Sequence, residues 1–222
     1  MNKFLLSFFP FLISLQVSSQ QVFSSHHIER VREFDSMRPI DSTDVVMLGS
    51  SAIEYAGDWS KLLGLRHIRN RGIAGDRVMD VYSRLGQILP GKPRVIVLLI
   101  GLDDLAQGLS PLQVVNACGQ VISKIRSGSP STKLYVQTLF PINDVSFEID
   151  DHLKNKSNDL LQVNHLLHIY CKRHDIGFIN LYSKFLRHGS SQLLPSMTSD
   201  GIHLSPFGYK VWAFHLKKYV QD

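Results

Sequence analysis

The chain has 222 residues, of which 44% are hydrophobic and 19% charged, with a formal net charge of +5. That length suits one domain with a substantial core, and the composition is that of a globular protein rather than a disordered or fibrous one. The positive charge is spread out, with no basic run beyond Lys217-Lys218 and no nucleic-acid motif, which leaves a solvated basic surface and no nucleic-acid partner.

The first element is a segment rather than a fold unit. Met1-Asn-Lys3 is a short charged start, residues 4–17 are mostly apolar, and Ser18-Ser-Gln-Gln21 is a small polar exit. This is the pattern of a secretory signal peptide, with an apolar block too short for a comfortable membrane span. The expected division is a signal over 1–20 and a single domain over 21–222. The mature protein is expected to be secreted or periplasmic, without stable membrane insertion.

Residues 21–42 read as a polar helical lead-in, and strands and helices then alternate. Strands are predicted at 45–48, 67–73, 94–100, 133–138 and 177–181, the clearest being the unbroken apolar run from Val95 to Ile100. Helices are predicted from Trp59, over 76–89, from Pro111 with Ser110 as cap to about Arg126, over 153–174, and from Ser205-Pro206 onward. Val78, Val81, Leu85 and Ile88 mark one apolar face, and Phe207, Val211 and Phe214 mark another. Asp76 is expected to cap its helix. Cys118 and Cys171 fall on apolar helix faces and read as buried free thiols rather than a bridge. His165 and His168 share a helix face without a third ligand, so they read as surface or packing residues. Trp59 and Trp212 read as core or rim residues rather than a sugar platform.

Alternation of this kind, with near-continuous apolar strands, predicts an α/β fold with a parallel sheet covered on both faces. Ligands then bind outside the carboxyl ends of the strands. Three turns meet that description: Gly49-Ser-Ser51, Gly72-Ile-Ala-Gly75 and Gly101-Leu-Asp-Asp104.

The chemistry is concentrated in four places. Asp200 and His203 lie three residues apart in Thr198-Ser-Asp-Gly-Ile-His-Leu204. The carboxylate can hold one ring nitrogen and leave the other as a base. Ser51, at a strand-to-helix turn, is the candidate nucleophile. The backbone N–H groups of Ser51 and Gly75 are candidate oxyanion donors. Loops 52–58, 105–109, 140–151 and 189–199 are expected to set specificity.

Gly49-Ser50-Ser51, Gly72-Ile-Ala-Gly75-Asp76, Gly101-Leu-Asp103-Asp104-Leu105 and Asp200-Gly-Ile-His203 resemble the four ordered blocks of the SGNH, or GDSL-type, hydrolases. They resemble most the platelet-activating-factor acetylhydrolase-like and carbohydrate acetyl esterase subgroup. The resemblance spans about 44–220. It implies a three-layer α/β/α sandwich with a five-stranded, flavodoxin-like parallel sheet, Ser51 as nucleophile, and Asp200 and His203 as acid and base. It also implies no metal or organic cofactor. The implied activity is a secreted serine esterase acting on short acyl, acetyl esters of carbohydrates. A lysophospholipase-like lipid esterase and a weakly active or retired glycan-binding domain are the other readings.

Two positions depart from the pattern. Ser50 replaces the Asp of Gly-Asp-Ser. Asp103 stands where the family places an Asn in the oxyanion hole, and an ionised carboxylate accepts hydrogen bonds but cannot donate. Three readings follow: Asp103 is protonated, by burial and by nearby Asp104; it turns away; or the enzyme is weak or retired.

Overall fold

The computed structural model describes residues 23–221; the expected signal segment, 1–20, lies outside the described residues. Five strands, β1 (Val45–Gly49), β2 (Ile68–Gly72), β3 (Val95–Leu99), β4 (Lys133–Gln137) and β5 (Gly177–Ile179), form one sheet in the order β2-β1-β3-β4-β5. All four pairings are parallel. β1 and β3 are buried at every position, as expected for strands with helices on both faces. Among the described residues the α-helices in chain order are α1 (Ser25–Ser36), α2 (Ser51–Glu54), α3 (Trp59–Leu63), α4 (Val78–Ser83), α5 (Leu102–Ala106), α6 (Pro111–Gly128), α7 (Ser157–Arg173) and α8 (Pro206–Val220).

The register aligns Gly49 of β1 with Gly72 of β2 and Leu99 of β3. The three turns singled out in the sequence therefore leave the sheet at one level. β1 is the strand from which the chain winds in opposite directions, so these turns flank the switch point where α/β sheets bind ligands.

Several expected elements differ in detail. The helix expected over 76–89 ends at Ser83 and continues as two 3-10 turns, Leu85–Gln87 and Leu89–Gly91. Gly86, Pro90 and Gly91 cannot sustain an α-helix there. Its apolar face is still buried, with Val78, Val81 and Leu85 fully enclosed and Ile88 nearly so. Helix α7 starts four residues later than expected, at Ser157.

The apolar face of α8 was misassigned by the sequence pattern. Phe207 and Phe214 are 52% and 78% exposed, while Tyr209, Trp212, Ala213, Leu216 and Val220 are buried. The latter set keeps the same helical spacing but is rotated from the phenylalanines, and it carries Trp212 into the core. There Trp212 meets Trp59 edge to face at 4.8 Å. Both cysteines are buried free thiols, and burial raises the Cys171 thiol to about 11. His168 stacks on Phe178. Among the described residues no cluster of three or more His, Cys, Asp or Glu is arranged to hold a metal ion, and no helix is long and apolar enough to cross a membrane.

Candidate active site

A four-residue helix is too short to hold itself, yet Ser51 opens one. Helix α2 is fixed from outside. Asn70 on β2 donates its side-chain amide to the carbonyls of Ile53, Glu54 and Gly57. Trp59 Nε1 donates to Ile53 O and the Tyr209 hydroxyl to Ala52 O, each at 3.0 Å. Gly72 lets α2 lie directly on β2: a Cβ there would stand 2.2 Å from the Glu54 nitrogen. The serine is thus positioned by the sheet, α3 and α8.

The turn after β2 is held with equal care. Gly75 has φ of 81°, a conformation that favours glycine. The preceding residue, Ala74, donates its N–H to Glu54 Oε2 at 2.6 Å. The following residue, Asp76, is buried; it receives His27 Nδ1 at 2.7 Å and Arg84 Nε at 2.8 Å. The same Arg84 guanidinium donates to Arg71 O and Gly49 O, tying the ends of β1 and β2 to the turn. Asp76 is therefore not a helix cap. Helix α4 begins two residues later, where Asp80 Oδ2 accepts the Arg77 N–H and Asp104 Oδ2 accepts the Val78 N–H. The N–H groups of Ser51 and Gly75 donate to no protein acceptor among the described residues.

The acid and imidazole occupy a tight loop closed by Thr198, whose hydroxyl donates to His203 O and accepts the Gly201 N–H. Asp200 Oδ1 accepts the backbone N–H of Ile202 and His203, and Oδ2 meets His203 Nδ1 at 2.7 Å. Burial pushes the Asp200 carboxyl up, but these bonds outweigh it and hold the group below the usual carboxylate range. Asp200 therefore stays ionised at neutral pH. A neutral imidazole that donates through Nδ1 keeps Nε2 free to take a proton. Ser205, not this pair, caps α8 by accepting the Gly208 N–H.

Ser51 and His203 line the same pocket, together with Ser50, Ala52, Leu102, Phe140 and Ile202 among others. The cavity volume is about 30 Å³, room for roughly two water-sized groups. Asp103 and Gly75 border a neighbouring, more polar pocket of about 450 Å³ that includes His27, Arg77, Gln107 and His152. Burial raises the Asp103 carboxyl above its ordinary value, against a pull from the Ser50 hydroxyl; Asp76 adds to the rise and His203 opposes it. Asp103 thus borders the pocket of Gly75, beside that of Ser51 and His203. Like charge acts on it from Asp76, and Asp103 and Asp104 repel each other although Asp104 Oδ2 turns to the Val78 N–H.

Sequence reasoning did not find His27, Glu54, Asn70, Arg84 or Tyr209 as supports of this site. Their partners lie between 8 and 157 residues away in the chain, so no local spacing marks them.

A five-stranded parallel sheet in the order β2-β1-β3-β4-β5, flanked by helices, makes this a flavodoxin-like α/β/α sandwich. The chain belongs to the GDSL-like lipase/acylhydrolase family, whose model matches residues 42–211. It is an enzyme of the carboxylic-ester hydrolase class. Solved structures share the fold. One, from Streptococcus pneumonia and described as a platelet activating factor, has a TM-score of 0.80 at 20% identity, covering 88% of this chain and 92% of that one. A GDSL-like lipase from Bacteroides thetaiotaomicron has a TM-score of 0.75 at 17% identity, covering 88% and 97%. An acetyl xylan esterase has a TM-score of 0.66 at 20% identity, covering 80% and 98%. No curated protein matches the chain.

Proposed function

We propose that the chain is a secreted serine esterase that removes a small acyl group, acetyl, from a carbohydrate ester. The observation that carries this reading is the shared pocket: Ser51 and a carboxylate-held His203 border an apolar space of about 30 Å³. A space that small favours the methyl of an acetyl group over a long acyl chain.

In this mechanism His203 Nε2 takes the Ser51 proton as Oγ attacks the ester carbonyl. Asp200 holds the tautomer and stabilises the imidazolium that forms. The developing oxyanion is met by the N–H groups of Ser51 and Gly75, preorganised by the contacts that fix their turns. Asp103 adds a third donor while it is protonated. His203 then protonates the leaving alcohol, and water resolves the acyl-enzyme by the same route. The signal-like N-terminus supports an extracytoplasmic site of action, and the acetyl xylan esterase among the similar structures supports a sugar ester as substrate.

The test is hydrolysis of p-nitrophenyl acetate and octanoate together with fluorophosphonate labelling. Acetate is expected to be preferred. Ser51→Ala is expected to abolish labelling and lower kcat by on the order of 10⁴-fold or more. A preference for octanoate supports a lipid esterase. Absence of labelling in folded protein, with glycan binding retained, supports a binding domain.

A further inference from the structure

Trp59 and Trp212, read from the sequence as core or rim residues rather than a sugar platform, are 1% and 0% exposed and offer no surface at the site. The exposed aromatic ring at the site is Tyr55. It ends α2, and its backbone N–H donates to Ser51 O at 2.9 Å, so its side chain stands one turn along on the serine's own face. The ring is 5.1 Å from the His203 imidazole at a tilt of 57°. Tyr55 is 53% exposed, an uncovered aromatic surface bordering the proposed base.

The chemistry assigns that surface a place in the substrate. Nδ1 of His203 is occupied by Asp200, so the proton for the leaving alcohol comes from Nε2. The alcohol oxygen must come within about 3 Å of that nitrogen. The small pocket is filled from the acyl side, so the group carrying the alcohol lies across the open side of the imidazole, against Tyr55. A flat, half-open ring with a hydroxyl at its tip suits a partner with an apolar face and a polar edge. A pyranose ring is such a partner: its axial C–H groups pack on the aromatic face and its hydroxyls reach the phenol and the water beyond. A lipid alcohol would gain more from a closed apolar channel than from a surface left this open.

We propose that Tyr55 is the alcohol-side specificity residue, a stacking platform for the pyranose ring that bears the ester. The proposal rests on the reading of Ser51, His203 and Asp200 as an esterase site. Its test compares kcat/KM for ethyl acetate and for a mono-O-acetylated methyl xyloside in wild type, Tyr55→Ala and Tyr55→Phe, with fluorophosphonate labelling of each. Tyr55→Ala is expected to lose about tenfold more on the sugar ester than on ethyl acetate, chiefly in KM. Tyr55→Phe is expected to recover most of that loss. The pH midpoint for ethyl acetate is expected to be the same in wild type and Tyr55→Ala. Equal losses on both substrates, or a displaced midpoint, would assign Tyr55 to the seating of His203 and overturn the platform. A wild type that labels but prefers ethyl acetate to the sugar ester overturns the platform and leaves the esterase standing. A folded wild type that does not label overturns both.

Discussion

A carboxyl group donates a hydrogen bond only while it is protonated, so in the proposed mechanism Asp103 ties oxyanion stabilisation to pH. Its carboxyl is raised by burial and by Asp76, with the Ser50 hydroxyl pulling the other way. In that mechanism the group donates to the oxyanion below the raised value, and as pH rises through it a negative charge replaces the donor. An amide at 103 donates at every pH. Asp103→Asn is therefore expected to match wild type at the acidic edge and to exceed it above neutrality, by up to the 10²–10³-fold that one donor is worth. Profiles of kcat for p-nitrophenyl acetate from pH 5 to 9 decide this, and a variant slower across the whole range would give the carboxylate a role of its own. Ser50→Ala is expected to move the falling limb of the wild-type profile to higher pH, since it removes the hydroxyl that favours the ionised form. The departure from the family pattern was readable in the sequence; its electrostatic cause was not. Asp103 and Asp104 are neighbours in sequence and repel each other, but a further like charge comes from Asp76 on another turn, which no local spacing marks.

Helix α1 shows how an element outside the family blocks supports the site. Its His27 pairs with Asp76, and its His26 and Arg30 pair with Glu54. Those two acids flank Gly75: Glu54 binds the Ala74 N–H, and Asp76 follows the glycine directly. The lead-in helix thus clamps the turn that carries Gly75, the proposed oxyanion donor. His27→Ala leaves a buried carboxylate with Arg84 as its remaining partner and is expected to cost about 2 kcal/mol in urea unfolding. It is also expected to lower kcat more than it raises KM, because the donor is used in the transition state. His27→Asn, which keeps a donor in reach of Asp76, is expected to restore part of both. A loss of stability with kcat intact would make α1 a packing element only. The strands and most helices were legible because apolar periodicity is local. The clamp was not, since His27 and Asp76 are 49 residues apart. The face of α8 failed for another reason: Phe207 and Phe214 and the stripe through Trp212 both satisfy helical spacing, and only the position of the sheet selects between them.

At the scale of the whole molecule, burying carboxylates beside the site makes stability depend on pH. Asp104 is nearly fully buried. Burial raises its carboxyl from an ordinary 3.8 to about 6, with a further push from Asp103 and a counter-pull from the Val78 N–H. Between those values the folded chain holds a proton that the unfolded chain has released. Stability contributed by this group is therefore fully present below pH 3.8 and is lost as pH rises toward and through 6. The full change corresponds to about 3 kcal/mol. Asp200 works in the opposite sense, since its carboxyl is held low and its contribution is lost as pH falls. Asp104→Asn isolates the first effect: the amide oxygen still accepts the Val78 N–H, but nothing is left to ionise. The variant is expected to be more stable than wild type at pH 7.5, by up to that amount, and the gap is expected to close by pH 4. Urea midpoints for the two proteins at half-unit steps between pH 4 and 8 measure it. A gap that is constant across the range would mean that the buried carboxyl is not what titrates, and that the gain comes from packing alone.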